Sequence, residues 1–429
     1  MHLSIKTLYV NNYRGFRKSF IPLETVNFLV GENSTGKTSI LKLLKLVSSE
    51  SFWRTLDFNC EDVELGYFHE IINQFSENKK TFSIGMEQTP LQKGESNNFI
   101  LIEFAQKNNI PRVTRVFTVV DNETVLIKYN IQTAYYKIIE KCCDSFENWV
   151  TSAVNLPRCS DYDGKINLYS SIFGTRSHLR FSLDDVAIKI RSDKNKRVKT
   201  FDLWYTNDIT WLAPIRAKPQ RIYDSFKHSF SAEGHHAPVL LKNILSDKNK
   251  NGDIIRAIEK FGKNSSLFEK IEIKNLDRYE GAPFEINILH NKVPIRITNV
   301  GYGLSQVIPL LIQLLITRAS IFSIQQPEVH LHPKAQAAFG ELLFENVYTN
   351  NNRFVIETHS DYTINRFRYC MHNRNNGANF KAQILFFERD EHGTKITPLP
   401  LSQSGQYPDE IPDSYGAFFI DEELKMLEF

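Results

Sequence analysis

Apolar and polar positions follow two periods along this chain, one typical of strands and one typical of helices. Residues 26–31 form a short apolar run, VNFLVG, which predicts a buried strand, and apolar residues then recur at helical spacing from Ile40 to Val47. Apolar runs at 320–324 and 354–358 predict two further buried strands. The chain is therefore predicted to contain both strands and helices.

The region between residues 98 and 150 has a pattern of its own. The stretches FILIEF, VTRVFTVV and TVLIKY are typical of strands, and residues 132–150 show helical spacing. This helical pattern lasts only a few turns, whereas a long coiled coil needs three or four sustained heptads. We therefore expect a compact lid or partner-docking subdomain. The apolar run 307–316 is too short for a membrane span and predicts a buried helix.

Composition narrows the class of protein. With 429 residues, of which 41% are hydrophobic, the chain can bury a large core. Its 52 basic and 49 acidic residues leave a net charge of +3, too close to neutral to predict a nucleic-acid or membrane-surface protein from bulk charge. Five scattered cysteines without a CxxC pair fit reduced thiols, and the N-terminus lacks the apolar core of a signal peptide. We therefore expect a cytoplasmic protein.

Basic residues concentrate in two places. The run RSDKNKRVK at 191–199 is either solvated surface or a contact for nucleic acid or an acidic partner. Arg216, Lys218 and Arg221 form a second candidate cluster, which serves either a structural role or a phosphate contact.

The loop after the first strand satisfies the pattern G-x-x-x-x-G-K-[ST], and a strand before it and a helix after it supply the context that a phosphate-binding loop needs. Glycines let backbone N–H groups curl around a β-phosphate, Lys37 neutralises the β- and γ-phosphate oxygens, and Thr38 offers a hydroxyl to Mg²⁺. The alternative is an ordinary glycine-containing turn. The sequence has no NKxD motif for guanine, which favours ATP. The predicted nucleotide-binding residues of this loop are Gly31, Asn33, Ser34, Thr35, Gly36, Lys37, Thr38 and Ser39.

Two further features lie far down the chain. Gly301 and Gly303 follow a predicted strand and precede a predicted helix that opens near Leu304. A glycine-rich helix start is either a second phosphate binder or a tight turn between two core elements. His359 lies at the C-terminal end of the strand 354–358, where open α/β sheets place their ligands, and this position favours a functional histidine.

These motifs together resemble the ABC-type ATPase head, in particular the branch of structural-maintenance-of-chromosomes, Rad50 and overcoming-lysogenization-defect proteins. The likeness is carried by NNYRGFR at 11–17, QPEVHLHPKAQ at 326–336 and ETHSD at 357–361. WLAPIRAKPQRIYD at 211–224 is similar to a segment of ATPases from bacterial anti-phage systems of the PARIS and Septu types.

The resemblance implies an α/β fold, namely an ABC-type P-loop ATPase head with a mixed central sheet, an inserted α+β subdomain and no long coiled coil. An N-terminal lobe with the P-loop would cover residues 1–130, an inserted lid or docking region 131–284, and a C-terminal lobe 285–429. Such heads work as head-to-tail pairs that sandwich ATP. A homodimer or higher homo-oligomer is therefore expected, in which Gly303 and Ser305 contact the partner's nucleotide.

The resemblance also assigns the chemistry. The residues that follow the Walker-B-like strand 320–324 are usually acids that hold Mg²⁺ and activate water, but here they are Gln325 and Gln326. Gln325 would join Thr38 as a neutral Mg²⁺ ligand, and Gln326 would position water without accepting its proton. Glu328, the nearest carboxylate, either points to the site or closes the turn. His359 would sense the γ-phosphate or polarise water, so slow hydrolysis is expected.

The leading hypothesis for function is an ATPase that binds ATP and Mg²⁺, oligomerises through them and gates a separate effector, a nuclease or a toxin, in anti-phage defence. The trigger would be a nucleic acid or a phage protein, and no membrane partner is expected. The acidic run 421–423 lacks the strand-borne acid and DxD pattern of a metal-dependent nuclease. One alternative is a non-hydrolysing, ATP-dependent scaffold that cages a partner. Another is a DNA-repair or chromosome-handling ATPase that acts on DNA.

Overall fold

The computed structural model describes most of the chain. The described residues are 5–60, 63–89, 98–120, 123–130, 133–139, 145–156, 161–167, 179, 183, 186, 209–226, 229–279, 281–374, 377–391 and 393–419. The basic run 191–199 and the acidic run 421–423 lie outside the described residues.

The structure describes nine helices. The helices are α1 (Lys37–Ser48), α2 (Glu50–Thr55), α3 (Phe68–Ile71), α4 (Phe146–Asn155), α5 (Ala237–Ser246), α6 (Lys248–Ser265), α7 (Tyr302–Ile316), α8 (Pro333–Asn350) and α9 (Asp361–His372). The longest of these described helices, α6 and α8, have 18 residues each, which is short of three heptads. The expected absence of a long coiled coil therefore holds for the part of the chain that the structure describes.

The strands form four sheets. They are β1 (Ile5–Asn11), β2 (Ser19–Pro22), β3 (Val26–Gly31), β4 (Asn59–Cys60), β5 (Val63–Glu64), β6 (Thr81–Gln88), β7 (Asn98–Lys107), β8 (Ile110–Val120), β9 (Glu123–Tyr129), β10 (Thr133–Ile139), β11 (Gly164–Asn167), β12 (Ile209–Leu212), β13 (Lys270–Asn275), β14 (Phe284–His290), β15 (Val293–Arg296), β16 (Ile321–Gln325), β17 (Arg353–Glu357), β18 (Ala382–Asp390) and β19 (Gly393–Leu401). The orders are β11-β10-β9-β8-β7-β6-β1-β2, β12-β16-β17-β3-β18-β19, β13-β14-β15 and β4-β5. The predicted α/β fold class is confirmed.

The chain divides into two compact units, and both are built from separated segments. The first unit comprises residues 1–24, 32–209 and 387–398, and the second comprises 25–31, 210–386 and 399–429. The boundary at residues 31 and 32 falls inside the predicted phosphate-binding loop.

The first unit contains the eight-stranded sheet, in which every neighbouring pair of strands is antiparallel. Helix α4 packs aromatic residues, Phe146 and Trp149, into an apolar cluster with Phe99 and Phe117 of the sheet. The indole N–H of Trp149 donates to the Thr124 hydroxyl at 2.9 Å. Burial of its apolar surface and this satisfied donor together fix α4 on the sheet.

The second unit contains a parallel core, β16, β17 and β3, in that order across the sheet. These strands are almost continuously buried and apolar, as expected for parallel strands covered on both faces. The core cluster also includes apolar residues of α7, α8 and α9. Because parallel strands share a direction, the C-terminal ends of β16, β17 and β3 meet at one edge of the sheet.

Most predicted elements appear where the pattern placed them, with two exceptions. The three strand-like stretches between 98 and 130 are β7, β8 and β9, and the apolar run 307–316 lies in the buried helix α7. The helical spacing predicted for 132–150 is wrong for its first part, because Thr133–Ile139 is the strand β10, paired to β9. The strand predicted just before Gly301 ends earlier, at Arg296, and residues 297–299 form a 3₁₀ turn.

Candidate functional site

The phosphate-binding loop connects β3 to α1. Its backbone is left-handed at Ser34, with φ of 62°, and at Gly36, with φ of 93°. A side chain at Gly36 would come within 2.6 Å of the Phe16 ring, so this position needs glycine both for its conformation and for the close approach of Phe16. The sequence pattern thus corresponds to a specific backbone shape.

Within the first unit the loop closes on itself around the Glu32 carbonyl. The Lys37 ammonium donates to that oxygen at 2.6 Å, and the Thr35 hydroxyl donates to it at 2.8 Å. Lys37 is 3% exposed, and the Arg389 guanidinium donates to the Ser34 carbonyl at 3.0 Å. The loop is therefore held in shape by its own lysine and threonine.

Helix α1 starts in a way that suits an anion. Its first intrahelical bond runs from the Ile40 N–H to the Gly36 carbonyl, so the N–H groups before Ile40 have no intrahelical acceptor, as at any helix start. No acidic residue stands in its first turn. Ser39 is anchored from outside the helix, because its hydroxyl accepts from Arg14 at 2.9 Å and its carbonyl accepts from the Tyr13 hydroxyl at 3.1 Å.

In the second unit the strand register brings the C-terminal ends of β16, β17 and β3 to the same level. Gln325, the last residue of β16, pairs with Glu357 of β17, and Glu357 pairs with Leu29 of β3. The Thr358 N–H, one residue later, donates to the Leu29 carbonyl at 3.1 Å. Gly31 and Gln325 therefore both lie at the C-terminal edge of the parallel strands, where α/β sheets bind ligands.

Gln326 begins the turn after β16 in a left-handed conformation, with φ of 42°, and its N–H donates to the Glu357 carbonyl at 2.8 Å. Both Gln325 and Gln326 are half-buried. A non-glycine residue with positive φ is uncommon and persists only where its surroundings hold it. The Gln326 backbone is thus fixed by β17.

Glu328 closes this turn rather than projecting freely. One carboxylate oxygen accepts from the Thr358 hydroxyl at 2.9 Å, and the other accepts from the His359 N–H at 2.7 Å. Burial of the carboxyl group raises the pKa of Glu328, while these hydrogen bonds and the nearby Arg216 guanidinium oppose that shift. Glu328 therefore ties the turn after β16 to the end of β17 and positions the backbone of His359.

We expect Glu328→Ala to destabilise the protein by about 1–3 kcal/mol, because it removes the acceptor of the half-buried His359 N–H and of the buried Thr358 hydroxyl. Urea denaturation measures the change. Glu391→Ala, which removes an exposed carboxylate, serves as control and should shift stability by less than about 0.5 kcal/mol. Equal stabilities of the two variants would contradict the positioning role.

The segment after His359 caps the next helix. The Ser360 hydroxyl accepts from the Thr363 N–H at 3.0 Å and donates to the Gln336 side chain at 2.6 Å. The His359 ring is half-buried and lies 6.1 Å from the Phe418 ring. His359 thus stands between a capped helix and the Glu328 contact, both of which restrict its backbone.

The two glycines at the start of α7 have different surroundings. A side chain at Gly303 would come within 2.2 Å of the His330 carbonyl, whereas no described residue lies within 4 Å of one at Gly301. The Ser305 hydroxyl donates to the Tyr302 carbonyl at 2.7 Å. Gly303 is therefore explained by packing against the turn after β16, while Gly301 faces open space.

The candidate basic cluster in 211–224 does not form one surface. Arg216 is 2% exposed, whereas Lys218 and Arg221 are exposed. The Arg216 N–H donates to the Gln306 side chain of α7 at 2.9 Å, and Nη2 lies 3.4 Å from the Gln325 carbonyl. The structure thus separates a buried arginine beside β16 from two surface cations.

A model of the AAA ATPase domain family matches residues 3–364, which is most of the chain. The chain belongs to this family. It is therefore an ATPase with a P-loop, as the loop at residues 31–38 predicts. A search of curated proteins gave no match.

Solved structures of SMC head domains are similar to this AAA ATPase. They include an SMC head bound to the C-winged helix domain of ScpA (13% identity, 93% of this chain and 98% of that chain, TM-score 0.44) and the SMC head domain from Thermotoga maritima (14%, 92% and 99%, 0.42). A third is the head domain with a coiled coil and joint from Pyrococcus yayanosii (10%, 94% and 98%, 0.42).

The residues predicted to hold Mg²⁺ in this AAA ATPase are Thr38, the second residue of α1, and Gln325 at the end of β16. A hydroxyl and an amide both offer the oxygen atoms that Mg²⁺ prefers, and Mg²⁺ commonly takes its remaining ligands from water and substrate phosphates. Each of the two side chains, taken by itself, thus offers an oxygen that suits Mg²⁺ and brings no negative charge. When bound, the ion would neutralise phosphate oxygens of the nucleotide.

Two residues that organise the site of this AAA ATPase are not among those predicted from its sequence. Thr358 joins β3 to Glu328 through its N–H and its hydroxyl. Gln306 holds the Arg216 main chain from α7. A hydroxyl residue directly before the strand-end histidine was a usable signal for Thr358. No local sequence signal marks Gln306, because its role depends on Arg216, which lies 90 residues away in the chain.

Proposed function

We propose that this AAA ATPase is an ABC-type head that binds ATP with Mg²⁺, forms a homodimer or higher homo-oligomer through the bound nucleotide and hydrolyses it slowly. The observation that carries this proposal is the pair of neutral amides, Gln325 and Gln326, at the strand end where water activation needs a base. The carboxylate nearest to them along the sequence, Glu328, is already engaged by Thr358 and His359. With amides in place of bases at these two positions, the proposed site binds ATP quickly and cleaves it slowly.

In this proposal each residue has a limited task. Lys37 and the N-terminus of α1 neutralise and orient the β- and γ-phosphates, and Gln326 holds a water by hydrogen bonding. His359 contacts the γ-phosphate, with its backbone held by Glu328. The start of α7 acts in trans, on the nucleotide of a second copy.

The dimerisation step is tested by comparing Gly301→Ala with wild type in sedimentation velocity, with and without ATP and Mg²⁺. Gly301 has φ of −55° and no described neighbour that a methyl group would meet, so alanine fits without strain and Tm should change by less than about 1 °C. We expect the wild type to dimerise with ATP and Gly301→Ala to do so at least about tenfold more weakly, because an added methyl group blocks the close approach of the partner's phosphates.

Gly303→Ala is the matched comparison. Its side chain would meet the His330 carbonyl, so this variant should lose about 1–3 kcal/mol of stability in the absence of nucleotide. If the wild-type protein stays monomeric with ATP, the proposal of an ATP-dependent dimer is contradicted. Unchanged dimerisation of Gly301→Ala would remove the start of α7 from the interface.

We further propose that the ATP-bound oligomer gates a separate effector, a nuclease or a toxin, in anti-phage defence, with a nucleic acid or phage protein as trigger. The support is the likeness of residues 211–224 to a segment of defence ATPases. The test is phage challenge of cells that carry the native operon. Loss of protection by Lys37→Ala supports the role, and equal plaque counts with and without the operon contradict it.

A second candidate is a scaffold in which ATP is structural, which the two neutral amides also favour. Steady release of phosphate by purified wild-type protein, absent in Lys37→Ala, excludes a non-hydrolysing scaffold.

A further inference from the structure

The N-terminal parts of α8 and α9 lie directly against each other. A side chain at Gly340 of α8 would come within 2.2 Å of the Thr363 carbonyl of α9, so the close approach of the two helices needs glycine there. Gly340 lies one helical turn after Gln336, and Thr363 lies in the first turn after Ser360, the N-cap of α9. The packing of the two helices therefore brings Gln336 next to the residue that follows His359.

The side-chain amide of Gln336 bridges two segments of the second unit. Its oxygen accepts from the Ser360 hydroxyl at 2.6 Å, and its nitrogen donates to the Leu331 carbonyl at 2.7 Å. Because a carbonyl can only accept, the nitrogen must face Leu331, which fixes the orientation of the amide. The Ser360 oxygen accepts from the Thr363 N–H, so the hydroxyl proton of Ser360 is available to Gln336. Both ends of the amide are thus used.

A second bridge joins the same two segments. Leu331 ends the turn after β16, and Glu328 lies within that turn. The Glu328 carboxylate accepts from the Thr358 hydroxyl and from the His359 N–H. The turn is therefore bonded to the residue before His359 through Glu328 and to the residue after it through Gln336. Two attachments on either side of one residue restrict both its displacement and its rotation.

The turn after β16 also begins with Gln326. The Gln326 N–H donates to the Glu357 carbonyl of β17, which holds the first residue of the turn. In the proposed function Gln326 orients the attacking water, and His359 contacts the γ-phosphate. Both groups are thus carried by segments that Gln336 and Glu328 tie together.

We propose that Gln336 is a positioning residue for His359. By holding Ser360 and Leu331 at the same time, it keeps the His359 imidazole at a fixed offset from the turn that carries Gln326. An amide does not titrate near neutral pH and takes no proton, so the role of Gln336 is placement of its neighbour. This inference rests on the proposed nucleotide site and adds the residue that sets the geometry of its histidine.

The first experiment follows the His359 ring by NMR in protein that carries ¹³C-labelled histidine, without nucleotide. His359→Gln assigns the signal by its disappearance. Gln336→Met keeps the chain length of glutamine and removes both amide hydrogen bonds. We expect the His359 ring signal to move by more than its line width in Gln336→Met. The matched control is Gln403→Met, which makes the same change at an exposed side chain and should leave the signal in place.

The second experiment separates hydrolysis from binding. Single-turnover hydrolysis, with enzyme in excess over radiolabelled ATP, should be about tenfold slower in Gln336→Met, because a displaced catalytic group loses its productive geometry. ATP affinity, measured by calorimetry, should stay within about twofold of wild type, since the phosphate loop supplies most of it in the proposed site. In a His359→Ala background, adding Gln336→Met should change the rate by less than about twofold, because no imidazole is left to position.

Three results overturn the inference. They are an unmoved His359 signal in Gln336→Met, an unchanged rate of hydrolysis, and equal losses of rate and ATP affinity, which a merely structural glutamine would give. Should Gln336→Met fail to fold, as judged by its thermal melt, Gln336→Glu decides by the same ring signal, since it keeps an acceptor for Ser360 and loses the donor to Leu331. A wild-type protein that binds no ATP fails the proposed function, whereas the NMR comparison needs no nucleotide and still decides the placement of His359.

Discussion

Replacing Lys37 with alanine is expected to weaken ATP binding by at least about 100-fold. In the proposed nucleotide site Lys37 carries charge to the β- and γ-phosphates, and charge-assisted hydrogen bonds contribute about 1.5–3 kcal/mol each. Its ammonium also donates to the Glu32 carbonyl, so the loop would lose an internal tie together with its charge. Calorimetric titration with ATP and Mg²⁺ measures the loss.

Lys42→Ala is the matched control for this prediction. Lys42 lies on the same helix, five residues further along, and its ammonium is 3.4 Å from the Glu64 carbonyl. The control should bind ATP within about twofold of wild type, and both variants should melt within a few degrees of it. If the two lysine variants bind ATP equally well, the loop at residues 31–38 is not the phosphate site.

Gln326→Glu should raise the rate of ATP hydrolysis at least about tenfold, since it restores a group that accepts a proton where the amide only orients water. Glutamate has nearly the same shape, and the Gln326 backbone is fixed by its N–H bond to Glu357. The new carboxylate therefore takes up the amide's place. Release of inorganic phosphate under saturating ATP is the measurement.

The double variant Gln326→Glu with Lys37→Ala controls for contaminating activity and should return to background. Gln326→Asn, which keeps the amide but shortens its reach, should hydrolyse no faster than wild type. An unchanged rate in Gln326→Glu would place the attacking water elsewhere and leave Gln326 as a structural residue of the turn.

The local parts of the candidate site were predictable from the sequence. The P-loop, the strand before it and the helix after it follow from a contiguous pattern in which each residue type has a backbone or charge requirement. His359 at the end of β17 was predicted in the same way. These features depend on residues that are close together in the chain, and sequence periodicity predicts such local structure well.

The direction of Glu328 was not predictable. The sequence left it either closing the turn or pointing to the site, and the choice is made by Thr358 and His359, about 30 residues away. The same limit applies to Arg216, whose burial depends on Gln306 of α7. Contacts of this kind form only when separate elements pack together, and no local pattern records them.

The helical spacing of residues 132–150 gave a wrong prediction for β10 for a related reason. Short apolar runs fit a strand and a helix equally well, and pairing to β9 decided in favour of a strand. A β-branched and aromatic composition, TAYYKII, was the signal that favoured a strand.

Because β3 pairs with β17, a strand far along the chain, β3 cannot reach its final place early in synthesis. The Asn27 side chain on β3 donates to the Phe354 carbonyl on β17, across 327 residues of sequence. At about 5–20 residues per second, a ribosome needs roughly 15–65 s to synthesise that interval. During this time the phosphate-binding loop has emerged, but the strand that supports it has not. A nascent chain therefore cannot pair β3 with β17 until residue 354 and its neighbours have been synthesised, more than 300 residues after the phosphate-binding loop.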